Sequence, residues 1–391
     1  MHFLFATSIV PDGALGSGYE IANAAIIDAL RRAGIRVTVL GFAWPGRAPS
    51  DPENTILLGE VDVRTEGAPM HRKLGWLLRA MRSGQTFSSV KLRTIRCETV
   101  RRALAEAGPF DAYVLNSVQF AGAFEGVFED RPTIFVAHNV EHRSAQENAL
   151  ASGSAFQRFL YRREARLLEK LEARLCGKAR FVFTLAEEDR AALGVGSDKR
   201  SAALPLVTRA GPPPVLGQRA VEYDAALIGT WTWQPNRIGL DWFLNEVTPF
   251  LPQDFSISIA GHIPAGMSAR HPGVKFVGRV PDAEAFVRGA AVIPLISRAG
   301  TGVQLKTIET FELGLPSVAT SSALRGIDHR PENCTVADDP AAFAAALQLA
   351  VAGALQDVDG SAFYWRQRSV LDERIGKGIA VLDAARREVA A

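Results

Sequence analysis

At 391 residues the chain is long enough for two domains of ordinary size, and its 47% hydrophobic and 22% charged residues exclude a disordered or fibrous protein. A formal net charge of +2 is too small to mark a nucleic-acid binder, and no apolar run is long enough to span a bilayer. Cys97, Cys176 and Cys334 are scattered and odd in number, which argues against a disulfide framework or zinc knuckle and for reduced thiols in the cytoplasm.

In chain order, His2–Thr7 reads as a first buried strand. Phe3–Val10 lacks the basic flank of a signal peptide and ends at Pro11-Asp12. The glycine-rich loop Pro11–Gly18, a helix over Tyr19–Ala33 and a strand over Arg36–Phe42 follow. Strand, Gly-loop, helix, strand is the opening of a doubly wound α/β domain.

Met70–Leu104 departs from the mild overall charge. It carries Arg72, Lys73, Arg79, Arg82, Lys91, Arg93, Arg96, Arg101 and Arg102 against Glu98 alone, interleaved with Leu74, Trp76, Leu77, Leu78 and Met81. Two readings stand: an amphipathic stretch that lies on an anionic membrane surface, or a solvated helix face that helps hold an anionic acceptor.

Phe110–Leu115 and Pro132–Ala137 read as strands, and the second delivers His138-Asn139-Val140-Glu141-His142. As H-x-x-E-H the pentad matches a zinc-peptidase motif, with two imidazole ligands and a carboxylate general base. That chemistry needs all five residues on one helix and a third protein ligand. A pentad directly after a strand fits better where an open α/β sheet binds its ligand, outside the carboxyl ends of the strands. Phe156–Leu175 is helical, and Arg180–Leu185 is the last strand of the half.

Between Leu204 and Tyr223 the chain turns Pro- and Gly-rich and reads as a linker. A second series begins at Tyr223–Gly229 and continues through strands at Phe255–Ala260 and Val274–Val280 and a short helix at Ala283–Arg288. Ala291–Thr320 then reads as strand, Gly-rich loop, helix, turn, strand. Gly300 and Gly302 flank Thr301, which is expected to cap the helix behind it, so backbone amides there can approach a bound group. Val303, Thr307, Ile308 and Phe311 are expected to face the sheet, while Lys306 and Glu309 share another side and Gly314 ends the helix. A helix N-terminus beside a lysine suits a phosphate, and a carboxylate one turn on suits the hydroxyls of a ribose, together a nucleoside diphosphate. Arg298, just before the loop, is a further candidate phosphate cation.

Gly300, Thr301, Gly302, Lys306, Glu309, Gly314 and Pro316 match position by position the G-T-G-x-x-x-K-x-x-E and G-x-P pattern of GT-B glycosyltransferases, and the segment resembles the donor-binding element of their GT4-like group, the glycosyl transferases group 1. Many members carry a second glutamate where this chain has Thr301. Gly229–Arg237 is similar to the G-x-x-x-W-x-P-N loop that opens the C-terminal domain of that group.

The resemblance implies a GT-B fold, two Rossmann-like doubly wound parallel-sheet domains facing across a cleft. The boundaries expected are an acceptor-side domain at 1–205, a linker at 206–222, a nucleotide-sugar domain at 223–361 and a helix at 362–391 that crosses back. It implies transfer of a sugar from a UDP- or GDP-linked donor to a hydroxyl of a glycan or lipid-linked acceptor, with retention, in cell-surface polysaccharide or glycoconjugate synthesis. No metal and no cofactor beyond the donor is expected, no nucleic acid is a partner, and the place of action is the cytoplasm or the inner membrane face. Lys306 would neutralise the leaving diphosphate, aided by the Gly300–Val303 loop, Arg298 and Arg237; Glu309 would hold the ribose and His138 the transferred sugar. Gly16 and Gly18 would face the donor phosphates, Arg279 and Val280 the base, and Asn139 and Glu141 the acceptor. A GT-B sugar-nucleotide epimerase, a silent nucleotide-sugar binder and the zinc peptidase are the other readings open.

Overall fold

The computed structural model describes residues 1–14, 17–65, 67–197, 199–214 and 219–390. Gly16 therefore lies outside the described residues. The chain forms two compact units, Met1–Leu206 with Ser369–Ala391, and Val207–Arg368.

The first unit runs β1 (His2–Ile9), α1 (Gly18–Arg32), β2 (Arg36–Ala43), β3 (Thr55–Glu60), α2 (Met70–Ser83), α3 (Phe87–Leu92), α4 (Cys97–Ala107), β4 (Ala112–Asn116), α5 (Val118–Ala123), β5 (Thr133–Ala137), α6 (Glu141–Ala151), α7 (Ala155–Lys178), β6 (Phe181–Thr184), α8 (Glu187–Ala192) and β7 (Ser201–Ala203). Its seven strands pair in parallel in the order β3-β2-β1-β4-β5-β6-β7. β1, β4 and β5 are buried along nearly their whole length, as expected for strands covered on both faces. Ser17 caps α1 by accepting from Glu20 N, and donates its own hydroxyl to the Glu20 carboxylate. Phe42, Phe120, Phe135 and Leu171 meet in the core on one face of the sheet.

The second unit runs β8 (Tyr223–Thr230), α9 (Gln234–Trp242), β9 (Ile257–His262), β10 (Val274–Gly278), α10 (Ala283–Arg288), β11 (Ala290–Leu295), α11 (Leu305–Glu312), β12 (Ser317–Ala319), β13 (Cys334–Val336) and α12 (Pro340–Leu349). All six strands are parallel, in the order β10-β9-β8-β11-β12-β13. The last helix, α13, spans Gly360–Ala390.

The expected doubly wound architecture is present twice. In each unit the strand order reverses once, between β1 and β4 and between β8 and β11, and these switch points are where open α/β sheets bind ligands. Edge strands β3 and β7 and the short helix α5 were not anticipated from sequence. β3 is half exposed, so its apolar residues form no continuous buried run.

The segment read as a linker is bound to the second unit at both ends. Thr208 N donates to Glu312 Oε1 at 2.9 Å, and the Arg219 guanidinium pairs with Asp357 at 2.7 Å. No described helix is long and apolar enough to cross a membrane.

Candidate active site

A pocket opens at the switch point of the second unit, lined by the ends of β8 and β11, by Trp231 and Asn236, and by Gln304, Lys306 and Glu309. Lys306 and Glu309 therefore share one side of α11 and face one space, as their spacing predicts. The sheet side of that helix is Thr307, Ile308 and Phe311, all buried.

Lys306 is held from two sides. Its Nζ lies 4.9 Å from the centre of the Trp231 ring, and the indole is fixed by donating Nε1–H to Ala260 O at 2.8 Å. On the other side stands Gly229, where a Cβ would meet Lys306 Nζ at 2.5 Å. Burial lowers the ammonium's pKa to about 8, with Glu309 pulling the other way. The Glu309 carboxyl is pushed up by burial, and Arg209 draws it back. A lysine whose charge lacks a full anionic partner in a desolvated pocket is ready to pair with an anionic ligand.

The glycine loop has the conformation two glycines permit: Gly300 and Gly302 have φ of +98° and +76°. Gly300 stands against Pro235, 3.4 Å from where its Cβ would be, so the two motif segments touch. Arg325 donates to Gly300 O and ties the loop down from behind. Thr301 is not the cap expected: α11 starts at Leu305 behind Gln304, which makes no side-chain cap bond. Val303, expected on the sheet-facing side, precedes the helix. The helix ends at Gly314, φ +67°, with Leu315 N bonded to Thr310 O and Gly314 N to Phe311 O, a Schellman turn.

Two expected cations are engaged elsewhere. Arg237 Nε bonds both oxygens of Asp241 one turn along α9, at 2.7 and 2.8 Å. Arg298 stacks 4.7 Å from the Trp242 ring and donates to Asp338 O at 3.0 Å. Neither residue lines the pocket. Arg279 and Val280 follow the end of β10, with Arg279 exposed and both outside the pocket lining.

Behind Glu309 stands a carboxylate cluster absent from the sequence reading. Glu312 is fully buried, accepts from Thr208 N and Thr208 Oγ1, and lies 3.7 Å from Arg209 Nε. Arg209 also pairs with Glu284 at 2.9 Å. Burial raises Glu312 to about 7 despite these partners.

In the first unit, His138 lies directly after β5 at the carboxyl edge of the sheet, 8% exposed. Its Nε2 is 2.8 Å from Asn116 Oδ1. Asn116 Nδ2 donates to Asn23 Oδ1 at 2.7 Å, which leaves its carbonyl oxygen to the imidazole and makes Nε2 the protonated nitrogen. The Tyr19 hydroxyl joins Thr7 Oγ1 at 2.6 Å, and its ring lies 4.9 Å from that of His138. Burial lowers His138 to about 4, so it is neutral at physiological pH. Next to Asn116, Ser117 has φ +73°, the one non-glycine positive φ among the described residues, in the region where strain is stored at functional sites. Asn116 and Tyr19 were missed in the sequence, where an asparagine ending a strand carries no pattern.

The rest of the pentad is hydrogen-bonded within the first unit. α6 begins at Glu141, so His138 and His142 are not on one helix. His142 Nδ1 is 2.6 Å from Glu172 Oε2, and Glu172 also accepts from Glu141 N at 2.7 Å, capping α6 with a buried carboxylate. Glu141 accepts from Gln119 at 3.0 Å, and Asn139 hydrogen-bonds it as well. The zinc-peptidase reading fails on this geometry: the imidazoles are turned to separate partners. Gly18 is the first residue of α1, directly after its cap.

Residues 223–352 match the family described as Glycosyl transferases group 1. No curated protein sequence matches the chain. Among solved structures, sucrose-phosphate synthase from Thermosynechococcus elongatus covers 100% of both chains at 16% identity with a TM-score of 0.63. TarM matches over 98% of this chain and 99% of its own, at 11% identity and a TM-score of 0.61. HepE of Anabaena, solved in complex with UDP, covers 100% of both chains at 13% identity and a TM-score of 0.50. These likenesses establish the GT-B fold, and the family match falls on the unit that holds Lys306 and Glu309. The chain thus has a GT-B fold, and its residues 223–352 are similar to the glycosyl transferases group 1.

Proposed function

We propose that the protein transfers a sugar from a nucleoside diphosphate sugar, UDP- or GDP-linked, to a hydroxyl of a glycan or lipid-linked acceptor, with retention of configuration. The observation that carries this is Lys306 and Glu309 side by side in the switch-point pocket, the lysine pressed between Trp231 and the bare backbone of Gly229.

In this reading Lys306 meets the charge that grows on the β-phosphate as the sugar–oxygen bond breaks, and the low-dielectric wall strengthens that contact. Glu309 accepts from the ribose hydroxyls. His138, neutral and donating Nε2–H to Asn116, is the residue we assign to the transferred sugar. No metal is needed, because a lysine and loop amides do the neutralising. The UDP bound by the HepE structure supports uridine as the first base to try. The basic helices after β3 support a reading in which the acceptor lies at the cytoplasmic membrane face, in the assembly of a cell-surface glycan.

The test is donor turnover in EDTA with UDP-, GDP-, dTDP- and ADP-linked sugars and a lipid extract as acceptor. One base is expected to be preferred, with diphosphate release lost in Lys306→Ala and the product's anomeric configuration matching the donor's. Release that needs a divalent metal, or an epimerised nucleotide sugar formed without acceptor, would overturn it.

A further inference from the structure

Helix α2 carries two apolar stripes where one is enough to hold it. Trp76 and Ala80 are buried against the first unit. Met70, Leu74, Leu78 and Met81, spaced by four, four and three residues, form a second stripe that is 69%, 51%, 56% and 47% exposed. It extends about 16 Å along the helix.

Helix α7 adds two exposed aromatics. Arg163 Nη2 donates to Ala80 O at 2.7 Å and so fastens α7 to the last turn of α2. On the same side of α7, one and two turns before Arg163, stand Phe159 and Phe156, 58% and 62% exposed.

The rim is cationic. From Met70 to Cys97 the sequence holds seven Lys and Arg and no Asp or Glu. Three of these serve the fold, Arg93 by donating to Ala123 O at 3.3 Å. Arg72 lies 4.9 Å from the Trp76 ring and donates to Asp62 O, and Lys91 lies 5.2 Å from that ring and donates to Val63 O. Arg79 and Arg82 on α2, with Arg158 and Arg162 on α7, are exposed beside the apolar stripe. Isolated apolar side chains on a surface need no explanation, but an aligned stripe of four with two aromatics among arginines does.

We infer that this face, Met70, Leu74, Leu78 and Met81 with Phe156 and Phe159, docks on an anionic lipid bilayer. Methionine, leucine and phenylalanine enter the acyl boundary while the flanking arginines meet the phosphates. The complementarity selects this occupant: an apolar stripe flanked by arginines fits a surface that is anionic outside and apolar beneath. This deepens the proposed membrane-side role and does not depend on the donor reading.

The experiment is flotation of the full chain with vesicles of phosphatidylcholine alone and of phosphatidylcholine mixed with phosphatidylglycerol, for wild type, Leu74→Glu/Leu78→Glu and Arg79→Ser/Arg82→Ser. Wild type is expected on the anionic vesicles and not the neutral ones, and to be released by salt. The leucine variant is expected to lose at least tenfold in bound fraction, and the arginine variant to lose several-fold. Circular dichroism and UDP titration, both unchanged, verify that the variants are folded and that the nucleotide pocket is intact. Equal recovery on both vesicle types, or anionic binding untouched by the leucine variant, would overturn the inference. So would a concentration-dependent dimer, without lipid binding, that the leucine variant abolishes. Lipid binding with no response to any nucleotide would instead fault the donor reading and leave this one standing.

Discussion

Lys306 Nζ stands 4.9 Å from the Trp231 ring and occupies the space that a side chain at Gly229 would fill. The glycine that opens the Gly229–Arg237 phrase and the lysine of the Gly300–Glu309 element are thus one piece of geometry, although 77 positions separate them in a chain of 391. Gly229 has an ordinary backbone conformation, so alanine there would displace the mobile end of Lys306 and press on the Trp231 ring, 3.3 Å from the added Cβ. Gly229→Ala is expected to keep its Tm within a few degrees of wild type while UDP affinity falls about tenfold, roughly 1.4 kcal/mol. Unchanged affinity in calorimetry would remove Lys306's position from the account.

Nucleotide binding should weaken as pH rises through the Lys306 pKa of about 8, because the neutral amine no longer attracts the diphosphate. A bound diphosphate stabilises the charged form, so binding near that pH takes up a proton. Titrations in two buffers of different ionisation enthalpy measure the uptake. Zero uptake, with affinity flat across that range, would assign the phosphate contact to another group.

Two buried groups tilt the stability curve in opposite directions. Glu312, raised from 4.5 to about 7, keeps in the folded state a proton that the unfolded chain has released, so its contribution is complete below pH 4.5 and declines as pH climbs to about 7. His138, lowered from 6.5 to about 4, works the other way, and its contribution is lost as pH falls through that window. Glu312→Gln should flatten the decline above pH 5, by up to about 3 kcal/mol, in urea midpoints followed across pH. Parallel curves for the two proteins would contradict the raised value.

His138→Ala should lower kcat about a hundredfold and leave the donor KM within a few-fold if, as proposed, the imidazole positions the sugar rather than the nucleotide. Asn116→Ala, which removes the acceptor for Nε2–H, should give much of the same loss, and the double variant little more. Additive losses would make Asn116 a structural residue alone.

How much of this was legible in the sequence follows from the kind of signal each residue carries. The alternation of apolar strands and helices marks the doubly wound order of both sheets apart from the edge strands β3 and β7, and the spacing of Lys306 and Glu309 puts them on one side of α11. Arg237 pairs with Asp241 one turn on, a helical pair of opposite charges that the sequence reading did not weigh. Thr301 was misread as a cap because the left-handed Gly302 delays the helix to Leu305. Trp231, Arg209, Glu312 and Asn116 carry no local pattern: each acts through a partner brought near only by the fold.

The central claim is that the switch-point pocket of the second unit holds a nucleoside diphosphate on Lys306. Calorimetric titration of UDP and GDP into wild type and Lys306→Ala, in EDTA at pH 7, tests it most directly. The account predicts binding of at least one diphosphate by wild type and a loss of about thirtyfold or more in the variant, the size of a charge-assisted contact in a half-buried site. Equal affinity of the two proteins, or no binding of either diphosphate by wild type, would contradict it.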